Sequence, residues 1–163
     1  MNEYITPDQL RAAMRQWATG VALVTVGNAE QAHGMTVNSF VSVSLDPALI
    51  LVSMERSTRT HKKALEEGKF AVAILSADQR EISDVFAGRT ADQDDRFKGI
   101  KVKHTPSGIP VPVDTLATLD CSIEETIRAG SHTIFIAGVK HASVSSGTPP
   151  LLYFNQDYHR IST

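Results

Sequence analysis

The stretch His33-Gly34-Met35-Thr36-Val37-Asn38-Ser39-Phe40-Val41-Ser42-Val43-Ser44-Leu45-Asp46-Pro47 decides the fold class. From Met35 to Ser44, apolar and small polar residues alternate with the period of two expected of a strand, and Asp46-Pro47 breaks it. Just before it, Val21 to Val26 is mostly β-branched and apolar, which predicts a buried strand ending in a turn at Gly27-Asn28. Just after it come two more apolar strands, Leu49 to Met54 and Phe70 to Leu75. Leu116 to Thr126 alternates at Leu119, Cys121 and Ile123, and Thr133 to Val139, Ala142 to Val144 and Leu151 to Phe154 complete the β pattern. Pro106 to Pro112, with its prolines and Gly108, reads as an exposed connection, and Gly147-Thr148-Pro149-Pro150 as a loop.

Helical signals are short. Thr6, Pro7 and Gln9 form a capping-box start, followed by an apolar stripe of Leu10, Met14 and Trp17 that Gly20 is expected to stop. His61 to Glu67 follows the hydroxyl-rich Ser57-Thr58-Arg59-Thr60 and is closed by Gly68. Ser76 with Gln79, or Asp78 alone, caps a third helix carrying Ile82, Val85 and Phe86. Gly88 to Gly99 is polar and Asp-rich, a loop or short helix anchored by Phe97. Helices do not alternate regularly with strands, and no G-x-G-x-x-G follows a strand, so neither a doubly wound sheet nor a Rossmann site is expected. The pattern predicts a mostly β protein: an antiparallel barrel with peripheral helices, in one domain over residues 1–163.

Composition narrows function. Lys and Arg number 16 against 18 Asp and Glu, for a net charge of −2. That balance leaves no basic footprint for nucleic acid and no polybasic patch for a membrane surface. The apolar runs are strand-length, not membrane spans, and the N-terminus has no secretory pattern. The lone Cys121 excludes an internal disulfide and a thiolate metal cluster, and a cytoplasmic location is expected. The six histidines show no H-x-x-x-H or H-E-x-x-H spacing, so no metal is expected, and G-x-S-x-G is absent. Cys121 sits on an alternating strand, where packing is expected rather than reactivity. The acidic run Asp92-Gln93-Asp94-Asp95 reads as a solvated loop.

Two segments can bind. Ser57-Thr58-Arg59-Thr60 combines hydroxyls, unpaired helix N–H groups and the charge of Arg59, Lys62 and Lys63, which suits a phosphate; the same residues also suit plain helix capping. Thr36-Val37-Asn38-Ser39-Phe40 places small polar residues inside a strand, suited to the polar edge of a flat heterocycle or to a half-exposed edge strand. Together they suggest a nucleotide-like cofactor.

In order along the chain, several pieces resemble one family: Ala18-Thr19-Gly20-Val21-Ala22-Leu23-Val24-Thr25, the His33–Pro47 stretch, Ser57-Thr58-Arg59-Thr60, Gly68-Lys69-Phe70-Ala71-Val72, Phe86-Ala87-Gly88, Arg96-Phe97, Gly130-Ser131-His132-Thr133 and Pro150-Leu151-Leu152-Tyr153-Phe154. The set resembles the short-chain flavin reductases of the FMN-binding split-barrel family. The resemblance implies a six-stranded antiparallel split barrel of Greek-key type and a homodimer. It further implies reduction of FMN or FAD by NADH or NADPH, with reduced flavin passing by diffusion to a separate flavin-dependent monooxygenase. A non-catalytic FMN-binding protein and a pyridoxamine phosphate oxidase-like flavoenzyme are the alternatives on the same barrel. By resemblance, Thr36, Val37, Asn38, Ser39 and Ser53 line the isoalloxazine, and Ser57, Thr58 and Thr60 hold the phosphate. Phe86, Ala87, Gly88 and Arg89 follow the phosphate or ribityl side, Tyr158 belongs to the cofactor site, and His132 is the catalytic candidate beside the nicotinamide. Ser131 stands where the family has Asp in its G-D-H stretch, and Asn155-Gln156-Asp157 replaces the usual glycine and basic residue.

Overall fold

A computed structural model describes residues 4–90 and 95–161. Its secondary structure runs α1 (Pro7–Met14), β1 (Thr19–Gly20), β2 (Ala22–Val26), β3 (His33–Val37), β4 (Phe40–Leu45), β5 (Ala48–Glu55), α2 (Arg59–Glu67), β6 (Lys69–Ile74), a 3₁₀ turn (Ala77–Gln79) and α3 (Arg80–Phe86). The second half is β: β7 (Val102–His104), β8 (Pro110–Pro112), β9 (Ala117–Ala129), β10 (His132–Val144), β11 (Leu151–Phe154) and β12 (Asp157–Arg160). The main sheet has the order β3-β2-β6-β9-β10-β5-β4, with antiparallel neighbours throughout. A small β1-β11-β12 sheet and the β7-β8 pair stand beside it.

The strand expected from Met35 to Ser44 is two strands, interrupted at Asn38 and Ser39. As a result β3 pairs only with β2, β4 pairs only with β5, and the two occupy opposite ends of the order. The ladder therefore has seven strands and does not close, which differs from the six-stranded barrel implied by resemblance.

Both faces of the central strands are buried. Ala22, Val24 and Val26 enter one core with Phe70, Val72, Val52, Met54 and Phe135. The intervening Val21 and Leu23 enter a second core with Ala71, Ala73, Leu75 and Phe86. Burial on both sides explains why β2 and β6 read as continuous apolar runs instead of alternating ones. Ile109 and Val111 are fully buried in the second core. The Pro106–Pro112 segment is thus not the exposed connection expected. Val111 lies opposite Lys103 between two prolines, and a two-stranded edge ladder tolerates their missing N–H groups.

The capping box of α1 forms as expected, the Thr6 N–H donating to Gln9 Oε1 (2.9 Å) and the Gln9 N–H to Thr6 Oγ1 (3.3 Å). This helix ends at Met14, before Gly20, which instead pairs with Leu152. Of the expected stripe, Leu10 and Met14 lie on the helix and Trp17 beyond its end, and all three are solvent-exposed in the single chain. Residues 92–94 of the acidic run lie outside the described residues.

Candidate functional site

The joint between β3 and β4 organises the site. Gly34 allows β3 to lie close to α3: a Cβ there would meet the Phe86 ring and the Val24 carbonyl oxygen, each at 3.0 Å. With the strand this close, Thr36 Oγ1 donates to the Ser83 carbonyl on α3 (2.7 Å). Ser83 Oγ in turn shares a 2.7 Å hydrogen bond with the Tyr158 hydroxyl on β12. Burial pushes the Tyr158 phenol above its ordinary pKa, against the lowering effects of the Ser83 hydrogen bond and nearby Arg89. It stays protonated and neutral at physiological pH.

Beyond α3, Gly88 turns the chain at φ 70°, a left-handed conformation natural to glycine, and delivers Arg89. The Arg89 guanidinium lies over the rings of Tyr153 (5.5 Å) and Tyr158 (5.1 Å). It also donates to the Tyr153 hydroxyl (3.2 Å) and to Asp84 Oδ1 (3.3 Å). These elements enclose a cavity of about 180 Å³ that brings together six of the predicted residues: Thr36, Val37, Asn38, Ala87, Arg89 and Tyr158. Val21 and Tyr153 complete its wall. Val21 and Asn38 also border an adjoining, more apolar cavity of about 350 Å³ that includes Trp17, Phe40 and Val41.

The other predicted residues lie elsewhere. Ser39 Oγ donates to the Ser53 carbonyl (2.6 Å), and the Ser53 N–H donates back to the Ser39 carbonyl (3.1 Å), so these two are neighbours at the β4–β5 edge. The Phe86 side chain is 1% exposed, with its ring edge-on to Phe97, so it packs in the core and lines neither of these two cavities. Thr58 is the N-cap of α2: its Oγ1 accepts from the His61 N–H (3.2 Å) and donates to the Glu55 carbonyl (2.8 Å). Buried Thr60 meets His33 Nδ1 at 3.1 Å. Ser57 is exposed. His132 is exposed at the start of β10, opposite Glu55, with Ser131 Oγ 2.9 Å from its Nδ1. It lines neither cavity at the β3–β4 joint.

Positive charge collects at the α2 end of β3. His33 Nδ1 accepts from the Gly34 N–H (3.0 Å), so Thr60 also donates to that nitrogen and the ring proton sits on Nε2. Burial, then the charges of Arg96 and Arg59, hold the His33 pKa below its usual value. Arg96 is itself pinned, donating to the Phe86 carbonyl (3.0 Å) and, more loosely, to the Gly34 carbonyl (3.5 Å). On the far side of α2, His61 Nε2 lies 2.8 Å from Thr133 Oγ1. Burial, then Arg56 and Lys62, lower its pKa as well. At the α2 start, the Arg59 and Thr60 N–H groups come before the first helical hydrogen bond, which Lys62 donates to Thr58.

Burial, then neighbouring Asp120, pushes the Cys121 thiol up to about 12, so it is an inert packing group as expected. A further cleft of about 650 Å³ lies along α3 between Asp78 and Glu81 on one side and Lys98 and Lys101 on the other. It contains none of the predicted residues. Sequence reasoning did not single out Ser83, Tyr153 or Arg96 as polar contacts of the site. Ser83 carries no local signal, its partner being 75 residues away, and Tyr153 had only its place in the Pro150–Phe154 piece, its partner Arg89 being 64 residues away. Arg96 had one faint signal, its place in the Arg96-Phe97 pair.

Comparison with known proteins fits this geometry. The chain matches the "Flavin reductase like domain" family over residues 14–162. It is 36% identical over 156 residues to the NADH-dependent flavin reductase StyB of Pseudomonas fluorescens, covering 91% of this chain and 86% of that protein. It is 38% identical to a probable flavin reductase of Rhizobium meliloti, of whose length it spans about half (49%) while 96% of this chain is covered. Among solved structures, flavin reductase PheA2 superposes with a TM-score of 0.89 at 36% identity, covering 98% of this chain and all of that one. A Streptomyces globisporus NADH:FAD oxidoreductase, SgcE6, solved with NAD and FAD fragments, superposes with a TM-score of 0.89 at 31% identity over 98% of this chain and 97% of that one. With a family match over nearly the whole chain and relatives this similar along most of its length, the protein belongs to the flavin reductase like domain family.

Proposed function

We propose that this protein reduces FMN or FAD with NADH and supplies the reduced flavin to a separate flavin-dependent monooxygenase. One observation carries the reading: a small cavity with polar walls at Thr36, Asn38 and Arg89 lies at one end of β3, and a cationic helix start lies at the other. A flat ring bearing a phosphate arm requires that pairing. When bound, the flavin supplies the chemistry by taking a hydride from the nicotinamide. The protein's part is to hold, orient and balance charge.

Thr36, Val37 and Asn38 face the ring, with Ser39 and Ser53 along the adjoining edge and Tyr158 closing the cavity wall. Ala87 and Gly88 follow the ribityl arm. The phosphate sits at the α2 start on the Arg59 and Thr60 N–H groups and the Ser57 hydroxyl, with charge from Arg59, Lys62 and Arg96. Thr58 and Thr60 shape that slot through the internal hydrogen bonds of their side chains. His132 positions the nicotinamide. NADH is favoured over NADPH because StyB and SgcE6 are described as NADH enzymes. The partner reading rests on relatives such as the styrene monooxygenase flavin reductase of Pseudomonas putida S12 and BorF, the reductase of a tryptophan halogenase.

Residues 33–45 can be counted as one bent strand, which makes six strands with both ladder ends on the same segment. The Ser53–Ser39 backbone hydrogen bond supports this split-barrel reading. Exposed Leu10 and Met14 on α1 and Trp17 just after it, with Val41, Val43 and Leu45 on β4, support a homodimer. Light scattering should then give about twice 17.7 kDa, and a catalytically active monomer would refute it. The charge balance and lone cysteine support a cytoplasmic location for residues 1–163 as a single domain. Tagging the full-length chain in cells and finding it outside the cytoplasm would refute that placement. The functional test mixes the protein with NADH and FMN or FAD in air and follows the nicotinamide absorbance band. Many turnovers are expected; no oxidation with either flavin would sink the reading.

A further inference from the structure

Resting on the flavin orientation proposed above, we infer that Arg89 does not hold the flavin phosphate but faces the pyrimidine edge of the ring and holds the negative charge of the reduced flavin. Three observations support this.

The first is position. Val37 and Asn38 share the cavity with Arg89, whereas the cationic group of Arg59, Lys63 and Arg96 surrounds His33 at the other end of β3. The four steps from His33 to Val37 span about 13 Å of extended chain. A phosphate at the α2 end leaves the ring, and not a second anion, for Arg89.

The second is uniqueness. Arg89 is the one cation lining that cavity among the described residues. Arg80 also lies over the Tyr158 ring (5.2 Å), but it pairs with Asp157 (3.3 Å) and Asp84 (3.9 Å) and lines no part of the cavity.

The third is the way Arg89 is held. Two tyrosine rings, the Tyr153 hydroxyl and Asp84 fix its guanidinium plane and engage two of its five N–H groups. Three remain for a ligand, and the planar fork suits adjacent nitrogen and oxygen acceptors.

The chemistry gives a cation there a role. Hydride transfer breaks a C–H bond of the dihydronicotinamide and forms an N–H bond on the flavin. The nicotinamide leaves oxidised, as the pyridinium. Two electrons arrive with one hydrogen nucleus, so no further proton is needed and one negative charge is left on the N1–C2=O edge of the ring. A fixed cation at that edge binds the reduced ring more tightly than the oxidised one. Asp84 tempers the effect, so the preference is modest and the product can still leave.

The test measures the midpoint potential of bound FMN by dye equilibration, and the affinities for oxidised FMN and riboflavin, in the parent, Arg89→Met and Arg89→Lys. Arg89→Met should reduce the preference for reduced over oxidised flavin by about 10- to 100-fold. At about 30 mV per decade for two electrons, the potential falls by about 30–60 mV. Oxidised FMN and riboflavin should change together and by less than about threefold, and Arg89→Lys should keep most of the parent potential. Arg89→Gln replaces the Met variant if circular dichroism shows that variant unfolded. An unchanged potential in a folded, charge-free variant overturns the inference alone. Loss of FMN binding with riboflavin spared also overturns it and moves the phosphate to Arg89. A parent that binds no flavin overturns the functional reading and this inference with it.

Discussion

Replacing Thr58 with Val separates two roles that the α2 start could give its hydroxyl. The side chain keeps its volume and branching but can no longer accept from the His61 N–H or donate to the Glu55 carbonyl. Loss of an N-cap costs about 1 kcal/mol, within a range of about 0.5–2. For a domain of this size each kcal/mol lowers Tm by about 2–4 °C. In our reading the phosphate rests on backbone N–H groups and on charge, so the ratio of FMN to riboflavin affinity should shift by less than about threefold. A direct hydroxyl–phosphate bond would be worth about 1.5–3 kcal/mol, a shift of about 10- to 150-fold. Thermal melts and fluorescence titrations of both flavins measure the two quantities, with Thr58→Ser as the control that restores both bonds. Arg59→Gln combined with Lys62→Gln should do the reverse. Exposed charges contribute about 0.2–1 kcal/mol each, so FMN should weaken about 2- to 30-fold against riboflavin, less so at high salt. A Thr58→Val protein with unchanged Tm and a tenfold or larger selective loss of FMN would refute the reasoning.

Further outcomes follow from the same contacts. His33 and His61 both have folded pKa values below the unfolded value of about 6.5, so the unfolded chain takes up protons first. Stability is therefore full above about pH 6.5 and falls as pH drops toward the folded values, with at most about 1.4 kcal/mol per pH unit from buried His61. Urea melts from pH 7.5 to 5 should show that slope, and His61→Gln should flatten it; an unchanged slope would remove His61 from the account. Tyr158→Phe and Ser83→Ala should each cost about 1–3 kcal/mol by leaving a buried hydroxyl unpaired, and the double variant should cost less than their sum. Full additivity in denaturant melts would mean the 2.7 Å contact contributes nothing. His132→Ala should raise the KM for NADH and lower kcat/KM about 10- to 100-fold with flavin affinity little changed, a loss of the size misalignment produces. Stopped-flow reduction as fast as the parent at low NADH would leave His132 a surface residue.

Much of this was legible because two local codes agree. Thr6–Gln9 and the Ser57–Thr60 hydroxyl cluster announce helix starts by capping chemistry; the α2 cap forms at Thr58, inside that cluster, and the helix begins two residues before the expected His61, with Gly68 left-handed at its close. Thr36 to Asn38 stood out as polar residues in a strand, and the structure places them in a cavity wall. What stayed hidden depends on partners distant in the chain. Asp157–Arg160 has a single buried position, Tyr158, so β12 carries almost no apolar alternation. Its turn uses Asn155 and Gln156 at positive φ (49° and 68°), and the Gln is an uncommon choice there. Pro110–Pro112 reads as a breaker in one dimension and becomes a buried edge strand only because β7 and the second core lie against it. The Asn38–Ser39 interruption left one local mark, since Ser39 and Phe40 are out of phase with the alternation on either side, but two misplaced residues in ten do not by themselves split a strand.

That interruption has a mechanical consequence. The open ends of the ladder, β3 and β4, are farthest apart in sheet order, yet only two residues separate them in the chain. Terminal strands have neighbours on one side only, so their amides are the first to open and exchange with solvent. A ligand that grips Asn38 and Ser39 clamps both fraying ends with one set of contacts. Occupancy is then legible as slowed hydrogen exchange on two strands that do not pair with each other.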